Sequence, residues 1–148
     1  MSNGRDASAF QILLMEDNPA DVYLFRQTLL RAGLNSELTV IQDGDDGLAF
    51  AESDGKYCAG RVPDLVVLDL NLPKVGGCEL LEALRQNANL SNLAVAVMTS
   101  SDASRDYERC TELGVVGYLT KPLELEDFLR MGEVVKRLLL ENTSRKQT

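Results

Sequence analysis

The chain has 148 residues, 45% hydrophobic and 26% charged, with a net charge of −8 and no histidine. That length and composition predict one domain with a buried core and exclude a disordered chain. The acidity disfavours nucleic acid and anionic membrane surfaces as partners, and the missing histidine excludes Ser–His–Asp triads, histidine bases and histidine metal sites. Trp is absent too, which disfavours a stacking platform for single-stranded nucleic acid. Cys58, Cys78 and Cys110 are widely spaced and form no CxxC pair, so they read as reduced thiols. The start of the chain is polar, and no apolar run approaches the roughly 18 residues of a membrane span, so the expected location is the cytoplasm.

In chain order, residues 1–10 read as a tail. Residues 11–15 are an apolar run with an acidic end and predict a buried strand. Asn18 and Pro19 start a helix as N-cap and first-turn residue. Val22, Leu24, Phe25, Leu29 and Leu30 give it a packed face, and Gly33 ends it. Residues 38–41 predict a second strand, and 45–52 a helix with weak signals at both ends. Residues 53–63 hold two glycines and a proline and read as a loop.

Residues 65–68, Leu-Val-Val-Leu, are the clearest strand and end at Asp69. A turn over 72–77 leads to a helix over 79–86. A fourth strand over 94–98 ends at Thr99. Asp102 caps a helix that runs to Leu113 and stops at Gly114. A short strand over 117–120 precedes Lys121-Pro122. The last helix covers 125–140, with Phe128, Leu129, Val135, Leu138 and Leu139 as its buried stripe, and 141–148 reads as a frayed tail. Five strands alternating with five helices predict an α/β domain over 11–140 with a doubly wound parallel sheet.

Ligands of such sheets bind beyond the carboxyl ends of the strands. Here those ends carry Glu16 and Asp17, Asp69, Thr99, and Lys121. Each has an ordinary explanation: acids favour turns and helix starts, Thr caps helices, and a lone Lys is usually solvated. Their convergence on one edge is what carries weight. Carboxylates held a few ångströms apart repel, by about 4 kcal/mol per pair at 4 Å and an effective dielectric of about 20, so the cluster needs a cation. Oxygen ligands without histidine or thiolate suit a hard ion, hence Mg²⁺. A carboxylate beside Mg²⁺ can attack phosphorus, with the metal and an ammonium neutralising the phosphoryl oxygens.

This constellation resembles the receiver domain of two-component response regulators, over almost the whole chain. The matching segments are Leu13-Leu-Met-Glu-Asp-Asn18, Val66-Val-Leu-Asp-Leu-Asn-Leu-Pro73 with Gly77, Val97-Met-Thr-Ser-Ser101 and Gly117-Tyr-Leu-Thr-Lys-Pro122. The resemblance implies a flavodoxin-like fold with strand order 2-1-3-4-5. It implies Asp69 as phosphoacceptor, with Asp17, Asp69, the Asn71 carbonyl and, through water, Glu16 around Mg²⁺. Lys121 would pair with the acceptor and then with the phosphoryl group. Thr99 and Tyr118 would form the switch, small Ser100 would leave the acceptor open, and Asn71 and Ser101 would tune dephosphorylation. The chain departs from the family pattern at Gly76, where an Asp or Asn is common. Its long 53–63 connection and the Asp-Leu-Asn-Leu-Pro run are similar to stand-alone regulators of the cyanobacterial phytochrome type.

The implied function is phosphoryl transfer to Asp69 from a sensor histidine kinase or histidine phosphotransfer protein, with output through protein–protein contact. No nucleic-acid or membrane partner is expected, and the chain would catalyse only its own phosphorylation and dephosphorylation. Having no histidine, it cannot be its own donor. A homodimer through the last helix is an expectation resting on Leu138, Leu139 and Leu140. Two alternatives are a pseudo-receiver that binds without phosphorylation and an aspartyl-phosphate phosphatase. The intact set of Glu16, Asp17, Asp69, Thr99 and Lys121 speaks against the first. The second would carry an Asp where this chain has Asn71. A flavodoxin-type cofactor site is disfavoured by the acidic first loop and the absence of glycine-rich phosphate motifs.

Overall fold

In the computed structural model, residues 9–53, 62–99, 104–122 and 124–147 are described. The five predicted strands share one parallel sheet: β1 (Phe10–Met15), β2 (Ser36–Ile41), β3 (Leu65–Asp69), β4 (Val95–Thr99) and β5 (Gly117–Thr120), in the order β2-β1-β3-β4-β5. β3 and β4 are buried along their whole length, which is why they read as unbroken apolar runs. β2 and β5 lie at the edges; β2 is half-buried for most of its length and β5 for half of it.

Alternate side chains leave the sheet on opposite faces. Leu13, Met15, Val66, Leu68, Val95 and Val97 build one core, with α2 (Gly44–Ala51), α3 (Gly77–Gln86) and α4 (Ser104–Glu112). Ile12, Leu14, Leu65, Val67, Ala96 and Met98 build the other, with α1 (Pro19–Arg31) and α5 (Leu125–Gln147). The register aligns Met15 with Leu68, Asp69 with Met98, and Thr99 with Thr120, so the acidic and hydroxyl residues come to one edge.

Local chemistry sets the helix ends. Asn18 accepts the Ala20 N–H at 2.9 Å at the start of α1, and Gly33 past its end has φ +68°. α2 begins at Gly44 rather than Asp45, because Asp43 caps it by accepting the Asp46 N–H at 2.9 Å. α5 continues past Leu140 to Gln147, through most of the segment expected to fray. Residues 141–147 contain neither Gly nor Pro to stop a helix, and Arg137 and Glu141 form an i,i+4 pair. Within α5, Leu138 and Leu139 are buried by the chain's own core and only Leu140 faces outward, so the leucine run does not by itself require a second copy.

Two contacts join segments that are distant in sequence. Cys78 and Cys110 are both buried, with sulfurs 3.4 Å apart between α3 and α4; Cys58 lies outside the described residues. Thr28 on α1 donates its hydroxyl to Leu129 O at 2.6 Å and accepts the Gly132 N–H at 2.7 Å. A Cβ at position 132 would sit 2.2 Å from Thr28 O, so glycine is what lets α5 approach α1 so closely.

Candidate functional site

The strand ends deliver Glu16, Asp69, Thr99 and Lys121 to one cleft. Glu16, Asp69 and Thr99 are buried, whereas Asp17 faces solvent. One carboxylate oxygen each from Glu16, Asp17 and Asp69 lies within 4.8 Å of the others. The Lys121 ammonium sits 2.5 Å from Glu16 Oε1, 2.9 Å from Asp21 Oδ2 and 3.0 Å from Asp69 Oδ2. The backbone holds the remaining oxygens: Asn18 N–H donates to Glu16 Oε2 at 3.1 Å, and Asn71 N–H to Asp69 Oδ1 at 2.9 Å.

Three carboxylates surround one ammonium, so negative charge exceeds positive charge here. Burial pushes the Glu16 carboxyl up to about 7; the Lys121 contact opposes this and the Asp69 carboxylate reinforces it. Burial pulls the other way on Lys121, but Glu16, Asp21 and Asp69 outweigh it and hold the ammonium protonated well above the usual lysine range. Glu16 Oε1 is buried and accepts no aligned hydrogen bond; its contact with Lys121 is an ion pair of poor hydrogen-bond geometry. A buried carboxylate oxygen left in that state, beside two further carboxylates, fits a hard divalent cation.

The loop after β3 is tied down around this cleft. Gly77 packs against Leu70, the residue after Asp69, and a Cβ there would meet Leu70 Cα at 2.5 Å. Lys74, with φ +77°, pairs with Asp43 at 3.2 Å, and Gly44 N–H donates to Pro73 O at 2.9 Å. Gly76 caps α3 with no side-chain hydrogen bond, which is the local consequence of its departure from Asp or Asn.

Of the other residues singled out in the sequence, Asn71 is exposed and Tyr118 is half-buried, packed against the core that contains Leu68. The Lys121 N–H donates to Thr99 O at 2.8 Å, joining the ends of β4 and β5. Ser100, Ser101 and Asp102 lie outside the described residues. Asp21 was not anticipated. The signal was the acidic first loop and its position after Asn18 and Pro19, in the first turn of α1, where a carboxylate is favourable. A cavity of about 370 Å³ lies at the opposite edge of the sheet, lined by Arg85, Leu93, Gly114 and Asn142 among others. None of the strand-end acids lines it.

The fold and the strand-end cluster define a phosphorelay receiver. The sequence profile of the response regulator receiver domain matches residues 12–132, and the chain belongs to that family. It is 37% identical over 133 residues to response regulator Rcp1 of Synechocystis sp., covering 90% of each chain. Among solved structures, the phosphorylated cyanobacterial phytochrome response regulator RcpA is similar with a TM-score of 0.80 and 30% identity, over 90% of this chain and 95% of that one. The Mn²⁺-bound form of Rcp1 is similar with a TM-score of 0.76 and 37% identity, over 86% of this chain and 91% of that one. These likenesses favour a response regulator over the pseudo-receiver and phosphatase alternatives. No described helix is long and apolar enough to cross a membrane.

Proposed function

We infer that Asp69 is the phosphoacceptor of this response regulator and that Asp17, Asp69, the Asn71 carbonyl and, through water, Glu16 hold Mg²⁺. The observation that carries this reading is the meeting of three carboxylates with the Lys121 ammonium, 3.0 Å from Asp69 Oδ2. When bound, the cation neutralises charge on the phosphoryl oxygens. The Asp69 carboxylate attacks phosphorus, the bond from phosphorus to the donor breaks, and the donor leaves with the electron pair. Burial of Asp69 and its Asn71 N–H contact hold the nucleophile in one orientation. Lys121 follows the new phosphoryl oxygens as their counter-charge.

The switch runs through Thr99 and Tyr118. A phosphoryl group adds about −1.5 to −2 charge, and Thr99 turns toward its oxygens. Tyr118 then packs further into the core it already touches, changing the surface of α4, β5 and α5. Moving such an equilibrium from 1:99 to 99:1 takes about 5.5 kcal/mol of differential interaction. Asn71 and Ser101 tune the return to the unphosphorylated state. The chain has no histidine to phosphorylate, so the donor is another molecule: a sensor histidine kinase or histidine phosphotransfer protein, or a small phosphoanhydride. The output is contact with another protein in the cytoplasm. A homodimer through α5 would have Leu140 as the exposed member of its leucine run.

Beryllofluoride, a phosphoryl mimic, tests the reading. With Mg²⁺, the wild type should give bound fluorine resonances, and Asp69→Asn should give none. Equal bound signals in both proteins would remove Asp69 from the acceptor position.

A further inference from the structure

Asp21 lies outside the set of carboxylates expected to hold the cation, yet its Oδ2 is 2.9 Å from the Lys121 ammonium. Neither partner is a free surface group: the Lys121 and Asp21 side chains are 12% and 21% exposed. The other two partners of Lys121, Glu16 and Asp69, are two of the three carboxylates placed to hold a divalent cation. Cation and ammonium therefore draw on the same two groups, and their like charges repel across them. Asp21 is the third partner and is left to Lys121 alone. Its place in the first turn of α1, after Asn18 and Pro19, makes a carboxylate favourable there whether or not Lys121 is present.

We propose that Asp21 is a positioning residue that retains the Lys121 ammonium in the cleft when a divalent cation takes Glu16 and Asp69. It thereby eases metal entry and keeps Lys121 within reach of the phosphoryl group. This rests on the assignment of the acidic cluster as the metal site. Asp21 acts only through Lys121, which separates it from a general contribution of negative charge. A general contribution persists without Lys121, and a retaining contribution does not.

The test is a double-mutant cycle read by calorimetric titration with Mg²⁺ alone, on wild type, Asp21→Asn, Lys121→Met and the double variant. Asp21→Asn should weaken Mg²⁺ binding about three- to tenfold in the wild-type background and less than about twofold with Lys121→Met. Asp21→Glu, which keeps the carboxylate, should bind within about twofold of wild type. If Lys121→Met does not fold, Lys121→Gln takes its place in the cycle. Equal losses in both backgrounds, or no loss in either, would overturn the role of Asp21 while leaving the metal site intact. Wild type that binds no Mg²⁺ would overturn both.

Discussion

Two half-buried cations stand at opposite ends of the same sheet and are satisfied in different ways. Arg85 donates to four backbone carbonyls: Leu113 O at 2.8 Å, Leu93 O at 2.7 Å, Gly114 O at 3.1 Å and Ser91 O at 3.2 Å. Burial lowers its pKa, and all four acceptors are neutral. Lys121 instead meets three carboxylates. Neutral acceptors leave no surplus charge, so Arg85 fixes geometry, pinning the loop after α3 to the end of α4. Charged acceptors leave a negative surplus that one ammonium cannot cancel. The Lys121 end is therefore poised to take up a second cation and to release or redirect the first.

The largest expected effects break this comparison directly. Lys121→Met leaves buried carboxylates uncompensated and should cost about 3 kcal/mol in metal-free buffer. Arg85→Met leaves carbonyls unpaired and should cost a similar amount, about 2–3 kcal/mol. Mg²⁺ should recover much of the first loss and none of the second, as read by thermal unfolding with and without the ion. Equal recovery in both would remove the distinction. Gly132→Ala should cost about 1–3 kcal/mol by forcing α5 off Thr28, with Mg²⁺ binding unchanged, since none of Glu16, Asp17 and Asp69 takes part in that contact.

A smaller effect comes from Glu16. Its carboxyl is raised from 4.5 to about 7 in the fold, so the folded state binds the proton more tightly than the unfolded chain. The associated stability is fully present below about pH 4.5 and is lost as pH rises through about 7. Metal-free wild type should therefore lose a few degrees of melting temperature between pH 5 and 8, and Glu16→Gln should flatten that slope. Mg²⁺ should flatten it in wild type as well. A slope unchanged by both would place the titrating group elsewhere.

The parallel sheet was legible because its central strands are apolar throughout, and the edge carrying Glu16, Asp17, Asp69, Thr99 and Lys121 follows from where those strands end. What escaped depends on pairing across long stretches of chain. Asp21 and Lys121 are 100 residues apart, and the Asp21 partner is visible only once α1 and β5 are placed. Gly132 reads as a weakness inside a helix until Thr28, 104 residues away, is seen against it. Cys78 and Cys110 look isolated because their spacing reflects neither a metal motif nor a redox motif, only two helices packed side by side. The polar composition of the end of α5 reads as fraying, yet it contains nothing that breaks a helix, and the helix runs on to Gln147.

The most direct test of the account is intact-mass measurement after incubation with acetyl phosphate and Mg²⁺, followed by peptide mapping. Wild type should gain the mass of one phosphoryl group, located on the peptide containing Asp69, and Asp69→Asn should gain none. Equal gain in the variant, or a phosphoryl group located on another peptide, would contradict the assignment of Asp69 as the acceptor.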